Sequence, residues 1–343
     1  MSSGTPSKGE AYENPDLPLT PEGTTYHLNC KSADLADRII LVGDPGRVEV
    51  VASFFDKDSI RFRTHHREMY IATGTYKGTP VSVLSTGMGT DNLEIVMNEI
   101  HLLKEYDVER GAWRPLVGSC DASSGIPPFD PSSVKLIRVG TCGSPSPSVP
   151  VGCLAITRHV IGTDNTCLYY RAEARGDTPD LQEVRRVARE QTGLGAIDIY
   201  TTMAHPAITQ GLATACEKHN KAATTEEEKQ PYVVGTTSTA SGFYACQGRE
   251  VGRFRGRITL PNLVEELSKL KFNLSTGTEV VVNIEMETSG LCCLSRMLGY
   301  QAGVVCAVVA KRAGDKAFAT PEQSTKALSN GIRFALDTIV SIP

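Results

Sequence analysis

Short apolar runs alternate with stretches of helical periodicity along most of this chain. The runs 38–42, 134–139 and 301–310 are largely apolar, which predicts strands that are buried on both faces. Apolar side chains recur every three or four residues at 93–103 and 328–339, which predicts amphipathic helices. Because strands that alternate with helices form mostly parallel sheets covered by helices, the pattern predicts an α/β protein.

Two capping boxes predict where helices begin. Thr320 and Gln323 flank a proline at the first helical position and predict the start of the last helix. Asp91 and Glu94 predict the start of the helix at 93–103.

The length of 343 residues is compatible with two domains or with one large α/β domain. Residues 1–25 are rich in Gly, Pro, Ser, Thr and Glu, which predicts a mobile tail ahead of a domain at 26–343. The stretch 107–133 is rich in Gly, Pro, Ser and Asp and carries the only tryptophan, Trp113. A loop of that length inside a compact domain predicts an insertion with a role of its own, or a flap.

Charge and composition exclude several classes of protein. The chain has 35 Lys and Arg against 39 Asp and Glu, and it has no basic cluster interleaved with aromatic residues, so we expect no nucleic-acid partner. It has neither a membrane-length apolar run nor the apolar region of a signal peptide, so we expect a soluble cytoplasmic protein without a membrane partner. Ten cysteines without C-x-x-C spacing predict reduced thiols, and seven histidines without H-x-x-x-H spacing give no support to a catalytic metal.

Two of the predicted strands lead into polar segments that suit an anion. Gly43 to Arg47 follows the strand at 38–42 and precedes a helix, so its N–H groups and Arg47 could hold a phosphate. A plain turn explains the same glycine and proline positions equally well. Arg138 lies near the end of the predicted strand at 134–139 and is followed by small residues and the hydroxyl of Thr141.

A pair of carboxylates follows another buried strand. Glu285 and Glu287 lie two residues apart at a strand-to-helix corner, where an extended chain points both to one face. In open α/β sheets such corners bind ligands, although one Glu could simply cap the helix while the other is solvated. The polar loop with Phe243, Gln247 and Arg249 could bind a flat heterocycle by stacking and paired hydrogen bonds.

One motif supports a different class of protein. Gly87-x-Gly89-x-x-Asn92 is an incomplete dinucleotide fingerprint, because it lacks the third glycine and a clear acidic strand end. It supports a dinucleotide-dependent oxidoreductase as the alternative. His27, just before the first element, has the ordinary interpretation of a surface or packed histidine.

The polar segments described above, together with residues 85–89, follow one another in a characteristic order and spacing. The set 43–47, 85–89, 138–143, 243–249 and 285–287 resembles the motifs of the nucleoside phosphorylase superfamily, and within it those of the uridine phosphorylases. The resemblance runs from about Tyr26 to the last helix. It implies a single-domain, three-layer αβα fold with a mixed, partly barrel-like central sheet flanked by helices. It also implies cleavage of uridine by phosphate, a co-substrate, to give uracil and ribose 1-phosphate, without another cofactor.

The resemblance assigns roles to individual residues. Phosphate would be held by Gly43, Arg47, Arg138 and Thr141, with Arg67 reaching in from a neighbouring subunit.

Ribose would be held by Glu287 and Met286, with His27 of the neighbour near the 5′-hydroxyl. The base would contact Phe243, Gln247, Arg249 and Val309, all present here at matching positions.

Arg249, Gln247, Glu287 and Arg138 would carry the catalysis. Glu68, Met88 and Asn92 match an interfacial cation site of some relatives.

Alternatives within the superfamily stay open at this point. A purine nucleoside phosphorylase or a nucleoside hydrolase could share the scaffold, and so could a nucleoside sensor without turnover. Purine-cleaving relatives carry an Asp just after the strand that matches 301–310, whereas this chain has Lys311-Arg312 there and no acid before Asp315. The resemblance therefore favours a pyrimidine nucleoside, with deoxyuridine and thymidine as further candidates. The residues contributed by a neighbour require at least a homodimer, while the insertion puts the hexamer of the family in doubt.

Overall fold

The computed structural model describes residues 14–119 and 125–343. Its strands are β1 (Arg38–Val42), β2 (Phe62–His66), β3 (Met69–Tyr76), β4 (Thr79–Ser85), β5 (Tyr106–Asp107), β6 (Ala112–Trp113), β7 (Lys135–Ser144), β8 (Leu154–Gly162), β9 (Tyr200–Met203), β10 (Tyr232–Thr239), β11 (Phe272–Leu274), β12 (Gly277–Glu279), β13 (Val281–Glu285), β14 (Gln301–Lys311) and β15 (Ala317–Phe318). Its α-helices are α1 (Gly46–Ala52), α2 (Thr90–Glu105), α3 (Ala172–Arg175), α4 (Pro179–Gln191), α5 (Pro206–Ala222), α6 (Leu263–Leu267), α7 (Thr288–Leu298) and α8 (Pro321–Ser341).

Five strands of the main sheet close on themselves. β14 pairs in parallel with β7 and antiparallel with β8, β8 and β13 both pair in parallel with β10, and β13 meets β7 through the pair Ile284 and Gly143. β1, β4, β3 and β2 continue the sheet outward from β7. The predicted mixed, partly barrel-like sheet is therefore confirmed.

Apolar side chains cover both faces of this sheet. Leu93 of α2 and Leu291 of α7 belong to one buried cluster together with strand residues such as Leu41 and Leu136. Helices α1, α5 and α8 supply a second buried cluster, on strand residues that alternate with those of the first. Burial of apolar surface on two opposite faces of one sheet gives the predicted three layers.

One of the two predicted capping boxes is present. The Thr320 hydroxyl accepts the N–H of Gln323 and the Gln323 side chain accepts the N–H of Thr320, so α8 begins as predicted. The box at Asp91 and Glu94 was wrong, because α2 already begins at Thr90 and its cap is Gly89, which makes no side-chain cap hydrogen bond. A glycine suits this cap because its φ is +93°.

The two stretches predicted to lie outside the regular fold are only partly described. Residues 1–13 of the expected tail and 120–124 of the expected insertion lie outside the described residues. Leu19 forms a bridge with Thr25, and β5 pairs with β6 inside the insertion, where Phe129 packs into the core. The domain boundaries stay a prediction. Among the described residues, no helix is long and apolar enough to cross a membrane.

Candidate active site

A cleft of about 630 Å3 opens where several strands of the sheet end. Most of the predicted site residues line it, namely Gly43, Arg47, Glu68, Met88, Asn92, Arg138, Thr141, Phe243, Gln247, Arg249, Met286, Glu287 and Val309. They come from β7 and β14, from the segments that follow β1, β4, β10 and β13, and, for Glu68, from the turn between β2 and β3. The structure thus brings together motifs that are more than 200 residues apart in the chain.

An ion pair between Arg138 and Glu287 forms the floor of the cleft. The Nη2 atom of Arg138 lies 2.5 Å from Oε2 of Glu287, and both residues are only 4% exposed. The other carboxylate oxygen of Glu287 accepts the N–H of Gly89 at 2.9 Å. Burial lowers the pKa of Arg138, but Glu287, Cys306 and Glu285 outweigh that effect and hold it above the usual value. Arg138 therefore remains a cation.

A glycine makes room for this arginine. A Cβ atom at Gly140 would lie 2.1 Å from Nη1 of Arg138 and 3.1 Å from the sulfur of Cys306. Since real Cβ atoms do not come that close, a side chain at position 140 would require the Arg138 guanidinium, which is paired with Glu287, to move.

Glu285 holds the start of α7. Its carboxylate accepts the N–H groups of Glu287 and Thr288 and the hydroxyl of Thr239, at 2.7 to 3.1 Å. These N–H groups belong to the first turn of a helix and have no partner within it. Burial, together with the charge of Glu287, raises the pKa of Glu285. Both carboxylates line the cleft, but Glu285 fixes the backbone at this corner, whereas Glu287 pairs with Arg138.

A second arginine stands beside Arg138 at the anion-binding end. Arg47 is half-buried at the first turn of α1, and burial, followed by the charge of Arg138, lowers its pKa. Gly43 packs its backbone near Arg138, and Thr141 lies exposed on the cleft wall. Two guanidinium groups that repel each other in one cleft form a site suited to a dianion such as phosphate.

Two polar side chains, Gln247 and Arg249, form another part of the cleft lining, and Arg312 is hydrogen-bonded to Gln247. Gln247 is 4% exposed, and its Oε1 atom accepts from Arg249 at 2.7 Å and from Arg312 at 3.3 Å. Arg249 also donates to the carbonyl of Phe243, and its guanidinium lies 3.8 Å from the centre of the Phe243 ring. Burial and the charge of Arg312 lower the pKa of Arg249 to about 10.

The sequence-based prediction missed Arg312. The sequence indicates that no acid directly follows β14, but the arginine at that position also signals a cation near the cleft. Arg312 donates to Oε1 of Gln247 and, at 3.2 Å, to the backbone carbonyl of Gln247. It therefore supports the two residues predicted to bind the base, Gln247 and Arg249.

His27 and Arg67 do not line the cleft of their own chain. Nδ1 of His27 lies 2.6 Å from Glu99, and Nη2 of Arg67 donates to the Tyr26 hydroxyl at 3.3 Å. Their predicted contribution to a neighbouring subunit stays a prediction.

The remaining expectations concern ions and dinucleotides. Within 14–119 and 125–343, no group of three or more His, Cys, Asp or Glu side chains is placed to hold a metal. The interfacial cation at Glu68, Met88 and Asn92 stays a prediction. The Gly87-x-Gly89 turn that suggested a dinucleotide lies in this same cleft, where the N–H of Gly89 is bonded to Glu287.

Comparison with known proteins gives the family. The profile of the phosphorylase superfamily matches residues 37–340. The chain belongs to this superfamily, and as the motifs predicted it is a nucleoside phosphorylase, an enzyme that transfers pentosyl groups. A crystallised Trypanosoma brucei nucleoside phosphorylase, described as showing uridine phosphorylase activity, is 62% identical, with 95% of this chain and 100% of that chain covered and a TM-score of 0.93.

Two further relatives are named for different substrates. The uridine phosphorylase of Thermococcus kodakarensis is 29% identical over 304 residues, which are 88% of this chain and 83% of that protein. A DeoD-type purine nucleoside phosphorylase of Lactococcus lactis is 35% identical over 156 residues, which are only 46% of this chain and 52% of that protein.

Proposed function

We propose that this chain is a uridine phosphorylase, which converts uridine and phosphate reversibly to uracil and ribose 1-phosphate. The observation that carries the proposal is that Gln247 and Arg249, with Arg312 hydrogen-bonded to Gln247, line the same cleft as Arg47 and Arg138. A pyrimidine ring with two carbonyl groups suits donors of this kind. The uridine phosphorylase activity described for the 62% identical relative supports the same substrate.

The chemistry follows from the two ends of the cleft. Phosphate held by Arg47 and Arg138 attacks the anomeric carbon of the ribose, and the bond from that carbon to N1 of uracil breaks. Positive charge develops on the sugar, where the carboxylate of Glu287 stabilises it. The bonding electron pair leaves with uracil, whose oxygens receive hydrogen bonds from Arg249 and Gln247. Uracil leaves as an anion, and its N1 then takes up, through water, the proton that the phosphate group gives up on becoming the ester, so the step needs neither a general acid from the protein nor another cofactor.

The same cleft argues against a purine. Lys311 ends β14 and Arg312 follows it, at the corner where purine-cleaving relatives carry an acid that protonates the base. Arg312 lies within hydrogen-bonding distance of the residue that would read the base, so a cation occupies this corner. A guanidinium group is not deprotonated in proteins, so Arg312 cannot supply a proton to a purine nitrogen.

The test is phosphate-dependent loss of uridine by the purified protein. We expect uracil and ribose 1-phosphate to form in equal amounts, with cleavage of inosine at least 100-fold slower. Equally fast loss of uridine without phosphate would identify a hydrolase, and preference for inosine would identify a purine enzyme. Binding of uridine without turnover would identify a sensor, and NAD titration is expected to give no signal.

The proposal extends to the setting of the enzyme. Deoxyuridine and thymidine are further candidate substrates, the reaction belongs to salvage of pyrimidines, and the location is the cytoplasm. A homodimer with active sites shared between subunits is required if His27 and Arg67 act on a neighbour. Sedimentation of the protein at micromolar concentration tests that assembly.

A further inference from the structure

Glu99 lies outside the cleft, and its buried carboxylate accepts hydrogen bonds from the short segment His27–Leu28. It lies on α2 and is 2% exposed. Its oxygens accept the backbone N–H of His27 at 2.9 and 3.1 Å, the backbone N–H of Leu28 at 2.7 Å, and face Nδ1 of His27 at 2.6 Å. A buried charge needs such compensation, and here a single dipeptide 72 residues away in sequence provides it.

This contact decides which nitrogen of His27 carries the hydrogen. An ionised carboxylate only accepts, so Nδ1 must donate and Nε2 is directed away from Glu99. The His27 side chain is 23% exposed, whereas that of Glu99 is 3% exposed. The ring therefore has one nitrogen held inside the protein and the other free to meet a ligand at the surface.

The neighbouring contacts stabilise the same segment. Nδ1 of His66 lies 3.1 Å from the carbonyl of His27, and Arg67 reaches the Tyr26 hydroxyl at 3.3 Å. The two residues expected to serve a second subunit are thus part of one surface unit, formed by residues 26–28 and 66–67. Glu99 anchors that unit from within the core.

We propose that Glu99 is a positioning residue for His27. It fixes the tautomer and the direction of the imidazole so that Nε2 accepts the 5′-hydroxyl of the nucleoside bound in the neighbouring cleft. The inference rests on the proposed function, because it assigns a contact to one hydroxyl of that substrate. It makes recognition of the 5′-hydroxyl depend on a carboxylate that never touches the nucleoside.

The test compares uridine with 5′-deoxyuridine, which lacks only the hydroxyl concerned. Glu99→Gln keeps the size of the side chain but leaves one acceptor oxygen for three N–H groups, so the imidazole loses its fixed orientation. We expect kcat/KM for uridine to fall roughly tenfold, the effect of one oriented hydrogen bond, mainly through KM. The value for 5′-deoxyuridine and the KM for phosphate should stay within about twofold of wild type.

A second histidine–glutamate pair on the same helix gives the matched control. Nδ1 of His101 lies 3.0 Å from Glu105, which is also buried and accepts the Tyr300 hydroxyl at 2.6 Å. Glu105→Gln disturbs the fold to a similar extent, but we expect it to lower kcat/KM for both substrates equally or not at all. In a His27→Ala background, Glu99→Gln should add less than about twofold to the loss on uridine.

The outcomes separate the inference from the proposed function. Equal losses on uridine and 5′-deoxyuridine, or an unchanged value for uridine in Glu99→Gln, would overturn the positioning role alone. A wild-type protein that does not cleave uridine with phosphate would overturn both.

Discussion

The two ends of the cleft are built in different ways. At the reacting end, Arg138 and Glu287 are 4% exposed and lie on or next to strands that pair with each other. At the base end, Phe243 is 52% exposed and Arg249 is half-buried on a loop after β10. The reacting end therefore depends on long-range packing of the barrel. The base end lies on a loop whose side chains are held by contacts of Arg249 within that loop and by the two hydrogen bonds from Arg312 to Gln247.

This difference separates the reaction from the choice of substrate. The pKa of Arg138 is raised by Glu287, so its charge is fixed by the core, whereas the pKa of Arg249 is lowered by burial and by Arg312. A loop that contacts the core at few points can change its side chains without disturbing the strands. We infer that changes at the reacting end cost both stability and activity, and that changes at the base end cost activity alone.

Arg138→Ala should give the largest effect. It leaves the buried carboxylates of Glu285 and Glu287 without their cation, so we expect the free energy of unfolding to fall by about 3 to 5 kcal/mol. Activity should be lost as well, because the phosphate loses a ligand. Urea denaturation and kcat/KM for uridine check both.

Arg63→Ala serves as the control for loss of an arginine. Its side chain is 45% exposed and pairs at 3.2 Å with the equally exposed Glu49, so the loss should stay below about 1 kcal/mol. A stable Arg138→Ala protein would contradict a structural role for the buried pair.

Arg249→Ala tests the opposite end. Removing one preorganised donor to the leaving uracil should lower kcat/KM for uridine by roughly 10² to 10³, with unfolding free energy changed by less than about 1 kcal/mol. Steady-state kinetics with uridine and inosine measure the loss of preference. The exposed Arg253, four residues further on, gives the control Arg253→Ala, which should retain activity.

A variant in which discrimination between uridine and inosine is unchanged would remove Arg249 from base recognition. A large loss of stability would instead contradict the separation of the two ends.

Glu285→Gln should give the smallest effect, which is a change in how the melting temperature depends on pH. The pKa of Glu285 in the folded protein is raised above 4.5, so its contribution to stability is complete below that pH and is lost as pH rises through the folded-state value. Glutamine stays neutral throughout. The melting temperature of Glu285→Gln minus that of wild type should therefore increase between about pH 4 and about pH 8.

Glu279→Gln is the control of opposite sign. Burial raises the pKa of Glu279, but His159, Thr236 and Arg158 together outweigh that effect and lower the pKa. The same difference in melting temperature should become more negative as pH rises. A constant difference for Glu285→Gln would show that its carboxyl titrates alike in both states.

Local sequence signals predicted the strands and helices but not the contacts between side chains of distant segments. The strand at 301–310 and the helix starting after Thr320 follow from apolar periodicity and one capping box. The pairing of Arg138 with Glu287 joins residues 149 positions apart, and only closure of the barrel brings β7 next to β13. The family resemblance supplied these residues without their ion pair.

Two misses have identifiable causes. The capping box at Asp91 and Glu94 competed with Gly89, whose φ of +93° and bond to Glu287 fix the helix cap two residues earlier. Arg312 was missed because its partner, Gln247, comes from a loop 65 residues upstream. Both errors arose where a distant segment decides the local conformation.

Gly140 has a consequence for interpreting natural variation in this protein. Replacement by alanine is usually counted among the mildest changes, and position 140 makes no chemical contribution of its own. Yet the added methyl group would occupy the place of the Arg138 guanidinium, only 2.1 Å from Nη1. We therefore expect that this apparently conservative substitution would displace the Arg138 guanidinium from its place beside Glu287.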